Sequence, residues 1–368
     1  VKIQSPEWYD IMHAAMKTAT QEGIEIGLFN APGWSQAGGP WNKPHQSMRY
    51  LATQRAVVKG GKMQTIAFSH PSNWLQNVKL LAFKHKRDDA RITAGIDYVY
   101  ATNVERVGAL FDGSQATTSG FTEESSTVYI TPAKKNFNLR SLRIELASPI
   151  KGYVTVSAER NGKYETIKTQ TLDRTNMMIE IGYDVLAPIA ISLPSTVADK
   201  FRLDFHLNKD CKLREITLAE TPIVDQFADK ILGKMVQVPL PMWNEYKWVS
   251  PVNYTETDVV AAADVIDLSS NLHGDTLTYA FPDGTWEVVR TYMAPTMIMN
   301  GPTIEGDGRG LEVDRWSREA LKNHYDSFVG DLIKRIPAED RATWKVMVCD
   351  SYEKATQNYG EDFMQYFK

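Results

Sequence analysis

A β-only stretch set inside α/β alternation limits the possible folds of this chain more than any other feature. Across residues 88–222 short segments alternate apolar and polar residues: Leu142–Leu146, Tyr153–Val156, Met178–Ile181, Ile189–Leu193 and Phe201–Phe205. Period-two alternation places every second side chain on one face of a strand. Turn residues at irregular intervals between such segments are the pattern of an antiparallel β-sandwich. On either side the pattern differs. Ser5-Pro6-Glu7 reads as a helix start, with Ser as N-cap and Pro at the first helical position. Trp8, Ile11, Met12, Ala15, Met16 and Ala19 then share a face, Gly23 closes the helix, and Ile24–Asn30 reads as a strand. Helix, glycine and strand form one step of a parallel α/β unit.

The C-terminal part repeats that alternation. Trp286–Tyr292 reads as a strand delivering Arg290 and Tyr292 at its end. Asp314 is expected to cap a helix whose Leu321, Tyr325, Phe328, Leu332 and Ile336 share a face. Trp344-Lys-Val-Met-Val-Cys-Asp-Ser-Tyr-Glu353 then begins as a buried-strand run and turns polar from Cys349. Assembled, the order predicts an α/β plus all-β chain: a partial (β/α)8 TIM-type barrel interrupted by an inserted β-sandwich. The expected divisions are 1–87 for the first part of the barrel, 88–222 for the sandwich, and 223–368 for the return to barrel strands three and four. Both ends of the chain interrupt the alternation, so the barrel is expected to stop partway. Strand exits carry the chemistry in such barrels, so Asn30, Arg290 with Tyr292, and Asp350 with Glu353 are expected to meet at one rim. The alternative for Asp350 and Glu353 is that they cap the next helix and favour its positive end.

Composition excludes several classes. With 368 residues the chain is long enough for two domains or one large domain with an insertion. A net charge of -4 and no Lys/Arg stripe leave no footprint for nucleic acid. No apolar run approaches the roughly 18 residues that a membrane helix needs. No Walker pattern, GxSxG elbow, HExxH or Ser-His-Asp arrangement is present. Cys211 and Cys349 allow one disulfide without arguing for it. The nine Trp and sixteen Tyr matter more, because aromatic rings stack on the apolar faces of sugars. Trp34 and Trp41 lie on a Gly/Pro-fixed loop after the first strand, where they form either a sugar platform or a plug for the barrel mouth. Phe111–Thr118 is similar to the Asp-Gly loop of discoidin-like, carbohydrate-binding sandwiches, or is an ordinary turn.

Four motifs stand in order: Asn30-Ala-Pro-Gly-Trp-Ser-Gln-Ala-Gly-Gly-Pro-Trp41, Pro282-Asp-Gly-Thr-Trp-Glu-Val-Val-Arg290, Gly310-Leu-Glu-Val-Asp314, and Asp350-Ser-Tyr-Glu353 with Gln357-Asn358. Together they resemble glycoside hydrolase family 106, the α-L-rhamnosidases. The resemblance implies a secreted or periplasmic enzyme that cleaves terminal α-L-rhamnosyl residues from plant-type polysaccharides or glycosides with inversion. It implies Glu353 as general acid, a general base beyond Lys368 in the remainder of the same protein, and a calcium ion with unassigned ligands. Asn30, Trp34, Trp41, Arg290, Tyr292, Asp350 and Asn358 are the expected substrate-binding residues. An inverting pair of carboxyls stands about 6.5–9.5 Å apart, and burial of Glu353 among Trp34, Trp41 and Tyr352 would raise its pKa. The competing reading is a non-catalytic carbohydrate-binding protein that uses the sandwich.

Overall fold

The computed structural model describes residues 1–32, 38–85, 91–175, 186–230, 254–300, 308–349 and 359–366. Helix α1 (Pro6–Glu22) begins as its sequence dictates: Ser5 Oγ accepts from Trp8 N at 3.2 Å, and Gly23 ends it at φ 69°. Strand β1 (Ile26–Phe29) follows. Then come β2 (Arg49–Lys59), β3 (Lys62–Ala67) and β4 (Gln76–Lys84).

Nine strands build the sandwich: β5 (Tyr98–Thr102), β6 (Ser119–Gly120), β7 (Ser125–Thr131), β8 (Phe137–Leu146), β9 (Lys151–Arg160), β10 (Lys163–Asp173), β11 (Ile189–Ala198), β12 (Phe201–Leu207) and β13 (Lys212–Ala219). One sheet has the order β10-β9-β12-β7-β5 and the other β11-β8-β13-β6, antiparallel throughout. Their inner faces bury Phe121, Phe201, Phe205, Leu203 and Ile144 among other apolar side chains. This core is what the period-two alternation predicts.

Beyond the short α2 (Phe227–Lys230) come β14 (Ile266–Asp267), β15 (Leu272–His273), β16 (Thr276–Phe281), β17 (Thr285–Pro295), β18 (Met299–Asn300) and β19 (Gly310–Leu311). β14 pairs with β4, so the sandwich is an insertion between two paired strands of a second β unit. That unit consists of a sheet β14-β4-β17-β2 and a sheet β15-β16-β3 around Leu80, Leu277, Phe281, Trp286 and Val288. Helices α3 (Arg318–Ser327) and α4 (Val329–Arg335) precede β20 (Trp344–Val348), and α5 (Phe363–Tyr366) follows it.

This architecture corrects the barrel expectation. Among the described residues most elements are strands, and only the two-stranded sheet β1-β20 pairs its strands in parallel. The presumed third barrel strand, Trp286–Tyr292, lies in β17 and is antiparallel to both β2 and β4. A strand's periodicity reports which face is buried, not the direction of its neighbour, and that is where the sequence reading failed. The run 346–347 was also expected to be buried, yet Val346 and Met347 are 49% and 42% exposed. The pair β1-β20 has its apolar cover from Met16, Leu332 and Ile336, with Trp8, Met12, Ile26, Leu28 and Trp344 packed against them.

Candidate functional site

The parallel pairing brings two sequence-distant strand ends together. Phe29 stands opposite Val348, and Asn30 N donates to Val348 O at 3.0 Å. Residues after β1 and after β20 therefore leave from the same edge. Asn30 is buried, and its Oδ1 has no hydrogen-bond partner among the described residues.

His324, on α3 and fully buried, ties this edge to its surroundings. Its Nε2 donates to Asn30 O at 2.5 Å, and its Nδ1 accepts from Trp41 Nε1 at 2.9 Å, with Asn42 Nδ2 at 3.2 Å. An indole N–H can only donate, so Nδ1 must be the bare nitrogen and the ring is neutral. Trp41 is half-buried, stacked on Phe328 with centroids 5.8 Å apart. Its neighbour Asn42 donates to Leu311 O at 3.1 Å. Gly39 N donates to Gly308 O at 2.9 Å, and a Cβ on Gly310 would lie 2.0 Å from Gly39 O. Only a glycine at 310 permits these two loops to run against each other.

Behind this edge two buried ion pairs fix the loop after β19. Arg49 Nε stands 2.9 Å from Asp314 Oδ2, and Arg315 stands 3.1 Å from Glu312. Met48 N donates to Glu312 O and Asp314 N to Gln46 O, at 2.7 and 2.9 Å. Burial pushes the Arg315 pKa down to about 9, against the pull of Glu312. Asp314 was expected to cap the helix. Ser317 does so instead, accepting from Ala320 N, while Asp314 accepts from Trp316 N and faces Arg49.

Asn30 and Trp41 thus meet through His324. Arg290 and Tyr292 belong to another network. Arg290 is fully buried and donates to Asn77 Oδ1 at 2.7 Å, Gln54 Oε1 at 3.2 Å, Ser69 O and Asp275. Those partners all lie in the antiparallel β unit or its connections. Tyr292 is buried beside it, 5.5 Å from ring centroid to guanidinium carbon, and burial raises its pKa. The expectation that Arg290 and Tyr292 sit at the exit of a parallel strand therefore does not hold. Trp34, Asp350, Glu353 and Asn358 lie outside the described residues.

In the sandwich, the Asp112 carboxylate accepts from Ser114 N at 2.8 Å and Thr117 Oγ1 at 2.9 Å. Gly113 N donates to both oxygens of Glu215, at 3.1 and 3.2 Å. Burial nonetheless raises the Glu215 pKa to about 7. Both cysteines are free, Cys211 buried and Cys349 exposed.

The model of the alpha-L-rhamnosidase family, glycoside hydrolase family 106, matches residues 1–368. The chain belongs to this family. A rhamnosidase from Novosphingobium sp. PP1Y superposes with a TM-score of 0.75 over 99% of this chain and 35% of that one, at 20% identity, a likeness of fold. A putative beta-glucuronidase of Formosa agariphila is 31% identical over 91 residues, 24% of this chain and 8% of that protein. The chain thus spans about a third of that rhamnosidase and a small part of the curated relative.

Sequence reasoning missed His324, Arg49 and Glu312. For His324 a signal existed: Ala320, His324, Phe328, Leu332 and Ile336 are buried at i+4 spacing, so an imidazole occupies a position in an apolar stripe. The calcium implied for the family finds no complete cradle among the described residues. No three His, Cys, Asp or Glu side chains gather as a metal site there. Glu312 and Asp314 face arginines, which leaves the neutral Asn30 Oδ1 where a hard cation takes about 6–8 oxygens.

The neutral His324 yields a pH prediction. Burial lowers its pKa below 6.5, opposed by the Asn30 carbonyl. In the window from 6.5 down to that depressed value the unfolded chain binds the extra proton, so stability falls as pH falls. Glu215 acts in the opposite sense between 4.5 and about 7, because its folded form holds the proton. Comparing the wild-type chain with His324→Gln separates the two. The midpoint at pH 5 minus that at pH 7.5 should be more positive in the variant than in the wild-type chain, because only the imidazole opposes folding at the lower pH; an identical pH response in both proteins would refute a buried neutral imidazole.

Proposed function

We propose that the protein containing this chain hydrolyses terminal α-L-rhamnosyl residues of a plant-type polysaccharide or glycoside with inversion, Glu353 acting as general acid. Membership of the family supports the reaction class. The observation carrying the residue assignment is the adjacency of the two parallel strand ends, where Asn30 pairs with Val348. β20, which precedes Asp350 and Glu353 in the sequence, ends at that edge beside the buried Asn30, whose Oδ1 has no partner among the described residues.

In this mechanism the protonated Glu353 carboxyl donates its proton to the glycosidic oxygen as the bond to the anomeric carbon breaks. A second carboxylate of the same protein takes a proton from water on the opposite face, and that water becomes the new anomeric hydroxyl. In this reading Asn30 Oδ1 accepts from a sugar hydroxyl, and Trp34, Trp41, Asp350 and Asn358 are further substrate contacts. Calcium belongs to this reading through the family alone. The test is the first-formed product. Proton NMR at early times should show β-L-rhamnose released from an α-rhamnoside, decaying later by mutarotation. Initial release of the α anomer would rule out inversion.

A further inference from the structure

The solvent face of the five-stranded sandwich sheet has a patterned surface that the hydrolytic site does not use. Cross-strand register aligns Tyr100 on β5 with Tyr129 on β7, and Tyr129 with Arg202 on β12. Tyr100 and Tyr129 stack with centroids 6.0 Å apart at 27°, and Tyr129 meets Tyr164 of β10 edge-on at 6.2 Å. The Arg202 guanidinium carbon lies 4.7 Å from the centre of the Tyr164 ring. Tyr164 therefore reaches across β9, and the small Ser157 in the register row below it is buried. One row further along the strands the same face presents hydroxyls, Thr102 opposite Thr127 and Thr155 opposite Thr169, with Asp204 between them. From β5 to β10 is four interstrand steps of roughly 4.8 Å, or about 19 Å. That is the reach of a short oligomer rather than of one small molecule.

The chemistry of the face selects its occupant. Tyr100 is 51% exposed and Tyr98, beside it on β5, is 67% exposed. The charge of Arg202 is met by Asp204 at 2.8 Å, so the row presents no unbalanced charge to a polyanion. The outward positions of β5, β7, β9 and β12 carry no Leu, Ile, Val or Met, whereas the core of a protein docking surface is apolar. A row of rings beside a row of hydroxyls matches the two aspects of a pyranose chain, its C–H face and its hydroxyl edge.

We propose that the Tyr100–Tyr129–Arg202–Tyr164 row is a binding platform for a neutral saccharide chain, holding polymer on the sandwich away from the strand edge that carries Asn30. It does not depend on Glu353 being the proton donor. The test is affinity electrophoresis of the full chain in gels containing neutral arabinogalactan or xyloglucan. Retardation by either polymer is expected to weaken by about tenfold or more in apparent affinity in Tyr100→Ala/Tyr129→Ala and to persist in Tyr100→Phe/Tyr129→Phe, because the rings carry the contact. Hydrolysis of a small aryl rhamnoside by the protein containing this chain should be unchanged in both, which separates failure of the platform from failure of the proposed reaction. Should the double Ala variant lose its cooperative melt, Tyr100→Ala alone carries the test. No retardation by either polymer, or equal retardation of wild-type and Ala proteins, overturns the proposal. So does a concentration-dependent dimer that the Ala variant abolishes without any retardation, which would assign the face to a second copy.

Discussion

Replacing Glu353 by Gln in the protein containing this chain is expected to slow hydrolysis of an alkyl α-L-rhamnoside by about a hundredfold or more. The amide keeps the shape of the side chain and removes only its transferable proton. An alkoxide is a poor leaving group and needs that proton in the transition state. A nitrophenolate needs it far less, so the loss on a nitrophenyl rhamnoside should be much smaller. That contrast distinguishes a general acid from a residue that merely supports the fold, which would depress both substrates alike. Near-normal turnover of the alkyl rhamnoside by the variant would end the assignment and return Glu353 to a helix-capping role.

The second large effect falls on stability. Arg49 and Asp314 have side chains about 1% and 0% exposed and face each other at 2.9 Å. Arg49 also donates to His45 O at 2.7 Å and lies 4.7 Å from the centre of the Trp74 ring. Removing one member leaves the other charged, buried and without its counter-ion, a loss of about 3–5 kcal/mol in comparable buried pairs. Arg49→Met and Asp314→Asn should each lower the denaturant midpoint strongly. The double variant Arg49→Met/Asp314→Asn should lose less than the sum, because no uncompensated charge remains. Strict additivity in a double-mutant cycle would mean that the two side chains do not interact. The pair binds the start of β2 to the loop after β19. β19 itself lies against Gly39 and Asn42, so loss of the pair should also loosen the edge that carries Asn30.

What was legible followed from local rules. Ser5, Pro6 and Gly23 set the limits of α1, because capping satisfies backbone groups within one turn of the residue itself. Alternation in Leu142–Leu146, Tyr153–Val156, Ile189–Leu193 and Phe201–Phe205 gave strands β8, β9, β11 and β12, because a core facing one side imposes period two, while Met178–Ile181 lies outside the described residues. What was not legible involved partners far apart in sequence. The expected continuous helix from Asp314 to Ile336 is two helices, broken at Phe328, where φ is -121° and ψ -80°. Arg290 looked like a rim residue because it follows a run of strand formers. Its register beside β4 and β2 instead gives it Asn77 and Gln54 as acceptors inside a β unit.

The sequence by itself determined the element types over much of the chain, the sandwich alternation and, through four ordered motifs, the family. Tertiary structure alone decided which strands are neighbours and in which direction. It turned Trp286–Tyr292 from a presumed barrel strand into the centre of an antiparallel sheet, and it joined Asn30, Trp41 and His324 at one strand edge. The physical reason is that hydrogen-bonding groups of the backbone are the same in every residue. Strand partnership and burial of a lone histidine are set by the packing of distant side chains, which no local window of the chain records.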